Sequence, residues 1–216
     1  MGGHNAGEVA AHLAIHAIGR FILDTHGTEA TWPYGFDPAL SIEANRVRSA
    51  LRLANDDVRH AADSRVEYEG MGTTVVLSLV SGERVVFGGV GDSRLYLWQR
   101  GVMQLLTQDD SWVAMTLARE PGMTETALAQ HPMRHVLTNV VGAKPDVDPK
   151  VGEQPLSSGD VLLLCSDGLH GVLTADAIAS RLGSNRTAEE IATDLVESAV
   201  AGGAKDNVTA VVVCCA

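Results

Sequence analysis

Apolar positions along the chain change period twice, and the changes divide it into helical and strand-like stretches. Val9, Leu13, Ile15, Ile18, Phe21 and Ile22 fall mostly at helical spacing. Asn5, followed three positions on by Glu8, predicts a capping box at the start of this helix, and Gly27 its end. A Trp32-Pro33-Tyr34-Gly35 break comes next. Leu40, Ala44, Val47, Leu51, Ala54 and Val58 then step by fours and threes, with arginines and Asp56 between them. That pattern predicts an amphipathic helix packed by one stripe.

From Thr73 the period shortens to that of a strand. Thr73 to Val80 and Arg84 to Val90 are rich in β-branched residues and flank Ser81-Gly82, which predicts a hairpin. Gly91-Asp92-Ser93-Arg94 reads as a second turn and Gln99-Arg100-Gly101 as a third. Four consecutive antiparallel strands are therefore expected between residues 73 and 106. A short helix is expected near Ser111. Val161 to Cys165 is continuously apolar, as suits a strand buried on both faces. Helices near 175–181 and 188–200 and a last strand at 208–215 complete the order. Runs of like elements predict an α+β fold with antiparallel sheet covered by helices, in one domain over 1–216.

Composition narrows the function. Apolar residues make up 45% of the 216, enough for a sizeable core, and no run reaches the roughly 18 apolar residues of a membrane span. The net charge of −11 argues against nucleic acid and against an anionic membrane surface as partner. Cys165, Cys214 and Cys215 are odd in number and lack metal-ligand spacing. With no secretion signal at the N-terminus, they point to a reducing cytoplasm and buried thiols.

The candidate chemistry lies in acids beside strand ends. Asp167 directly follows the buried strand, Asp206 directly precedes the last one, and Asp109-Asp110 follows the strand ending near Leu106. Carboxylates converging from separate elements suit a hard cation such as Mg²⁺ or Mn²⁺. Singly, each also fits an ordinary turn, and Asp109 or Asp110 fits a helix cap. Spacing alone does not bring them together.

Seven segments in order resemble the metal-dependent protein phosphatases, the type 2C Ser/Thr family in its bacterial form. Met1 to Ala10 is similar to the tail of D-G-M-G-G-H-x-x-G-E-x-A. Gly70-Met71-Gly72-Thr73-Thr74 and Gly89-Val90-Gly91-Asp92-Ser93-Arg94 resemble the family's G-x-G-T-T and x-V-G-D-S-R. Leu106 to Ser111 resembles L-T-x-D-H-S, and Leu137 to Gly142 resembles L-T-x-x-L-G. Leu164 to Leu169 matches L-C-S-D-G-L, and Lys205 to Thr209 matches x-D-N-x-T.

The resemblance implies two antiparallel sheets packed face to face with helices outside both, a four-layer αββα sandwich. It implies hydrolysis of phosphoserine and phosphothreonine by a metal-bound water, with two Mg²⁺ or Mn²⁺ ions and a third, weaker one. Asp167 and Asp206 match metal-binding aspartates, and Asp109 matches the residue that holds the third ion with Asp167. Residues 112–148 match a flap beside the site. Asp92 and Arg94 match a turn expected to be structural, and His4 is expected at a helix start rather than in proton transfer. The implied partners are phosphorylated Ser/Thr proteins, the targets of a Ser/Thr kinase. In the family an Asp-Gly pair and a phosphate-gripping arginine come before the position of Met1. The domain is therefore expected to be N-terminally truncated, and the chain alone unstable or weakly active. A non-catalytic relative that binds phosphoproteins or a regulatory partner is the alternative.

Overall fold

The computed structural model describes residues 6–25, 31–120, 122–128 and 131–216. α1 (Gly7–Asp24) and α2 (Ile42–Ser64) open the fold. The expected capping residue Asn5 and the expected helix end at Gly27 lie outside the described residues. α2 begins where Ser41 accepts a hydrogen bond from Ala44 N at 3.0 Å, satisfying one of the free N–H groups of a helix start. Its stripe of Val47, Leu51, Ala54 and Val58 is fully buried. Such a stripe forms a stable helix only when something covers it, and here a sheet does.

The two predicted hairpins form. β1 (Val75–Ser81) pairs with β2 (Arg84–Val90) from Val75↔Val90 to Ser81↔Arg84. Gly82, with φ +57°, takes the first loop position, where a two-residue hairpin needs a glycine. β3 (Arg94–Gln99) pairs with β4 (Val102–Leu105) around Arg100 and Gly101, both at positive φ.

The expected single run of four strands is broken, because β2 and β3 do not pair. They belong to two sheets, ordered β1-β2-β5 and β4-β3-β6-β7. The chain crosses between the sheets at Gly91, whose φ is +103°. A Cβ there would lie 2.4 Å from Thr74 Cγ2, so the crossing requires glycine.

β5 (Lys150–Pro155) extends the first sheet through Phe87↔Gly152 and its neighbours. β6 (Val161–Cys165) and β7 (Ala210–Cys214) complete the second. Period-2 alternation then sets the layers. Val85, Phe87, Leu95, Leu97 and Leu162 meet between the sheets. Val86 and Val90 face outward onto Val47 and Leu51 of α2. Leu163 and Cys165 face the other way, onto α6 (Ala175–Leu182) and α7 (Ala188–Ala201). The result is the αββα sandwich that the resemblance implied. It explains why β6 reads as an unbroken apolar run, since both of its faces are covered.

Three shorter α-helices are also present among the described residues. α3 (Trp112–Arg119) is capped by Ser111, whose Oγ accepts from Ala114 N at 3.1 Å. Neither Asp109 nor Asp110 caps it, because both carboxylates are held elsewhere. α4 covers Glu125–Leu128 and α5 covers Asp167–His170. No described helix is long and apolar enough to cross a membrane.

Candidate metal centre

Antiparallel pairing of β6 with β7 ends at Cys165↔Ala210, which brings the segments beyond that pair face to face. Ser166 clasps them. Its Oγ donates to Asn207 O at 3.1 Å and accepts from Thr209 N at 3.1 Å, and its N–H reaches Thr209 O at 3.2 Å. Gly168 lets the backbones close, for a Cβ there would sit 2.4 Å from Asn207 O. Asp167 and Asp206 therefore stand on adjoining segments at one end of the second sheet, both exposed to solvent. Each is oriented by a local bond to Oδ1, from Gly168 N at 2.9 Å and from Asn207 N at 2.7 Å.

β3 flanks β6 on the other side, with Arg94 opposite Cys165. That register delivers the Asp92-Ser93-Arg94 turn to the same end. Arg94 holds Asp109 with two bonds, Nε to Oδ1 at 2.9 Å and Nη2 to Oδ2 at 2.7 Å, and donates from Nη1 to the Tyr96 hydroxyl at 3.1 Å. Burial pushes the Asp92 carboxyl up to about 6, and the negative charges of Asp167 and Asp109 push the same way. His170 Nε2 lies 3.0 Å from Asp92 O. Burial holds this imidazole below its ordinary pKa, and the Arg94 charge adds to the effect.

Three candidate acids thus gather at one end of the sheet, in different states. Asp167 and Asp206 fit a hard cation in donor type, since the Oδ2 of each has no hydrogen bond to a described residue. Asp109 has both oxygens on Arg94. Among the described residues, no group of three His, Cys, Asp or Glu is placed to hold a metal. His4 lies outside the described residues.

Asp92, expected to be structural, is a carboxylate facing the charges of Asp167 and Asp109. The available signal was its place one turn before a strand, mirroring Asp167 one turn after another. Only the pairing of β3 with β6 makes those two positions neighbours.

Asp110 does a different job. It is buried, and it joins four segments. Oδ2 accepts from Gly91 N at 3.1 Å and Asn139 Nδ2 at 2.9 Å, while Oδ1 accepts from Lys150 Nζ at 2.5 Å. Its backbone bonds Gly91 O and Thr138 N, each at 2.8 Å. The sheet crossing, β5 and the segment after α4 are all tied to this one residue.

The model of the protein phosphatase 2C family matches residues 1–206. The chain is 33% identical over 213 residues to the serine/threonine phosphatase stp of Listeria monocytogenes, covering 99% of this chain and 81% of that protein. It is 34% identical over 212 residues to the serine/threonine protein phosphatase PstP of Mycobacterium tuberculosis, covering 98% of this chain and 38% of that one. The crystal structure of the mycobacterial PstP superposes with a TM-score of 0.81 at 33% identity, over 98% of this chain and 83% of the other. A structure of the PstP catalytic domain in complex with two manganese ions gives a TM-score of 0.80 at 32% identity, over 98% and 83%.

Proposed function

This chain belongs to the protein phosphatase 2C family, and we propose that it is a metal-dependent protein serine/threonine phosphatase in which Asp167 and Asp206 hold Mn²⁺ or Mg²⁺. The observation that carries the reading is the Ser166 clasp, which sets these two exposed carboxylates on adjoining segments. The relative solved with two manganese ions supports the choice of cation. When bound, such a cation acidifies water and offsets the charge of a phosphate ester.

The chain's own residues supply the frame. Gly168 N and Asn207 N orient the two carboxylates. Asp92, crowded by like charge, is the further acid best placed to share a cation with Asp167. Asp109 would add a third carboxylate to the donor set, and both of its oxygens are held by Arg94 in this structure. His170, favoured in its neutral form, has its Nε2 against Asp92 O. The flap expected over 112–148 is tied to Asp110 through Asn139 and Thr138. The substrates are phosphoserine and phosphothreonine proteins, the targets of a Ser/Thr kinase. Of the three free thiols only Cys165 is buried, against the expectation for all three, while Cys214 is exposed and Cys215 half-buried; free thiols accord with action in the cytoplasm.

The test is hydrolysis of p-nitrophenyl phosphate by the purified chain with Mn²⁺, with chelator, and in the Asp167→Ala and Asp206→Ala variants. Turnover that needs the cation and disappears in both variants supports the reading. Turnover indifferent to chelator sinks it. A second reading, a non-catalytic phosphoprotein binder, draws on the locking of Asp109 by Arg94. It expects phosphopeptide binding with chelator present and no turnover in any condition.

A further inference from the structure

Two consecutive glycines in β2 have opposite physical reasons. Gly88 faces α2, where a Cβ would come within 2.7 Å of Val47 Cγ1 and 2.9 Å of Leu51 Cδ1. Helix and sheet touch there, and only glycine fits. Gly89 faces the other sheet, in line with Val85 and Phe87, which fill the space between the sheets. A Cβ at Gly89 would meet nothing closer than Val75 O at 3.4 Å and Thr107 Cγ2 at 3.9 Å, both ordinary contacts. Nothing in the packing forbids a side chain at 89. Its absence leaves a hollow.

That hollow is a cleft of about 350 Å³ at the mouth of the inter-sheet space, lined by Phe87, Gly89, Leu106, Thr107, Lys150 and Val151. Phe87, Leu106 and Val151 give it an apolar side, and Thr107, Gln108 and Lys150 a polar one. Phe87 is nearly buried, and its ring packs over the bare backbone of Gly152, where a Cβ would lie 2.5 Å from Cζ. Lys150, half-exposed, is tethered by its Nζ to Asp110. A second cleft of about 250 Å³ adjoins the first, sharing Gln108 and Lys150, and runs past Ser111 and Arg119 to Asp109. Asp109 is the residue gripped by Arg94 at the candidate metal centre. The two clefts thus adjoin at Gln108 and Lys150, and the second is lined by Asp109, one of the acids of the candidate centre. Preformed apolar clefts with a few fixed polar groups are the usual form of a recognition pocket.

We infer that the Gly89 hollow is a specificity pocket for an apolar side chain flanking the phosphorylated residue of a peptide substrate, with the Gln108–Lys150 wall joining it to the phosphate end. The inference rests on the phosphatase reading. The adjoining cleft, lined by Asp109, is what selects a substrate segment as the occupant. An unconnected small molecule would have no need of the second cleft. Phe87 is packed and Lys150 is tethered before anything binds, which lowers the ordering cost on their part.

The experiment measures affinity rather than turnover, so that it stands apart from the test of catalysis. Fluorescent peptides carrying a hydrolysis-resistant phosphothreonine analogue are titrated into the whole chain with Mn²⁺ present. A single leucine is walked along the residues on either side of the analogue, against an all-alanine reference. At one position leucine is expected to tighten binding by about tenfold, the worth of a few buried methylenes. Gly89→Val fills the hollow and is expected to abolish that leucine preference. Gly89→Ala, whose added methyl makes only ordinary contacts, reduces it and keeps the test valid if the valine variant fails to fold. A leucine preference that survives both variants, or no preference at any position, overturns the pocket. Loss of p-nitrophenyl phosphate turnover alone would count against the phosphatase reading and leave the affinity ratio to judge the pocket.

Discussion

Arg94 holds both carboxylate oxygens of Asp109, at 2.9 and 2.7 Å, with the two side chains 23% and 16% exposed. The geometry is bidentate, the strongest form of this pair. The Arg94 charge also works against the crowding of the Asp92 carboxyl by Asp167 and Asp109. Arg94→Ala leaves these acids uncompensated. Without divalent cation the variant is expected to lose about 2–4 kcal/mol of stability, as when one partner of a largely buried pair is removed. Mn²⁺ should then raise its melting temperature by more than it raises that of the parent. Thermal melts with and without chelator check this, and an equal cation-induced shift in both proteins would show that Arg94 does not stand in for the cation.

Asp92 gives the pH dependence. Its carboxyl is raised to about 6 from an ordinary value near 4, by burial first and by Asp167 and Asp109 next. The folded chain then binds more protons than the unfolded chain between about pH 4 and 6, so this group's contribution to stability falls as pH rises through that window. Asp92→Asn removes the dependence. In chelator above pH 6 it is expected to be more stable than the parent by about 1–2 kcal/mol, the shift being discounted for partial exposure. With Mn²⁺ the order should reverse, since the variant lacks a donor. A variant less stable than the parent in chelator at pH 7 would show that Asp92 is not held under like-charge strain.

What the sequence disclosed follows the range of the interactions involved. α2, the two hairpins and β6 were legible because each is set by local period and turn chemistry. Asp167 and Asp206 were legible as candidates because each abuts a strong apolar run. β5 was missed, since Lys150–Pro155 has neither alternation nor β-branched density and becomes a strand only by pairing with β2. The division into two sheets at Gly91 was missed for a related reason. A turn that crosses between sheets and a turn that closes a hairpin look alike in sequence. The role of Asp110 stayed open between cation ligand and helix cap because its partners Asn139 and Lys150 are 29 and 40 positions away. The nearness of Asp92 to Asp167 was not legible, because the two meet only through the β3–β6 register.

Asp110 is expected to hold the segment between β4 and β5 in place. Asp110→Ala leaves the Lys150 ammonium and the Gly91 N–H without their buried acceptor, at a cost of about 3–5 kcal/mol. Because Asn139 and Thr138 are released with it, the loss should be local first. Limited trypsin digestion under native conditions is expected to cut after Arg119 and Arg134 sooner in the variant than in the parent, before global unfolding. Arg181, bonded into α6 and α7 by Ala177 O and Ser198, is the internal control and should stay protected. Equal cleavage of both proteins at Arg119 and Arg134 would remove Asp110 as the anchor.

Gly168 tests whether the closeness of the Asp167 and Asp206 segments is what makes a cation site. A methyl at residue 168 would lie 2.4 Å from Asn207 O and 3.3 Å from Asp206 O, both backbone atoms that cannot rotate away. Gly168→Ala must therefore part the two segments, straining the bonds from Ser166 to Asn207 and Thr209. Overpacking of this kind costs about 1–3 kcal/mol. Gly19 in α1 is the contrasting site, since a Cβ there meets nothing within 4 Å. Gly19→Ala is expected to stabilise the chain by about 0.5–1 kcal/mol through helix propensity alone. The decisive readout is the stabilisation conferred by Mn²⁺, measured as the shift in melting temperature across a cation titration. Gly19→Ala should keep the parental midpoint, while Gly168→Ala should move it at least about tenfold higher, a loss of roughly 1.4 kcal/mol in cation binding. If Gly168→Ala lowers the melting temperature yet keeps the parental midpoint, the close approach serves the fold alone and Asp167 binds the cation without Asp206.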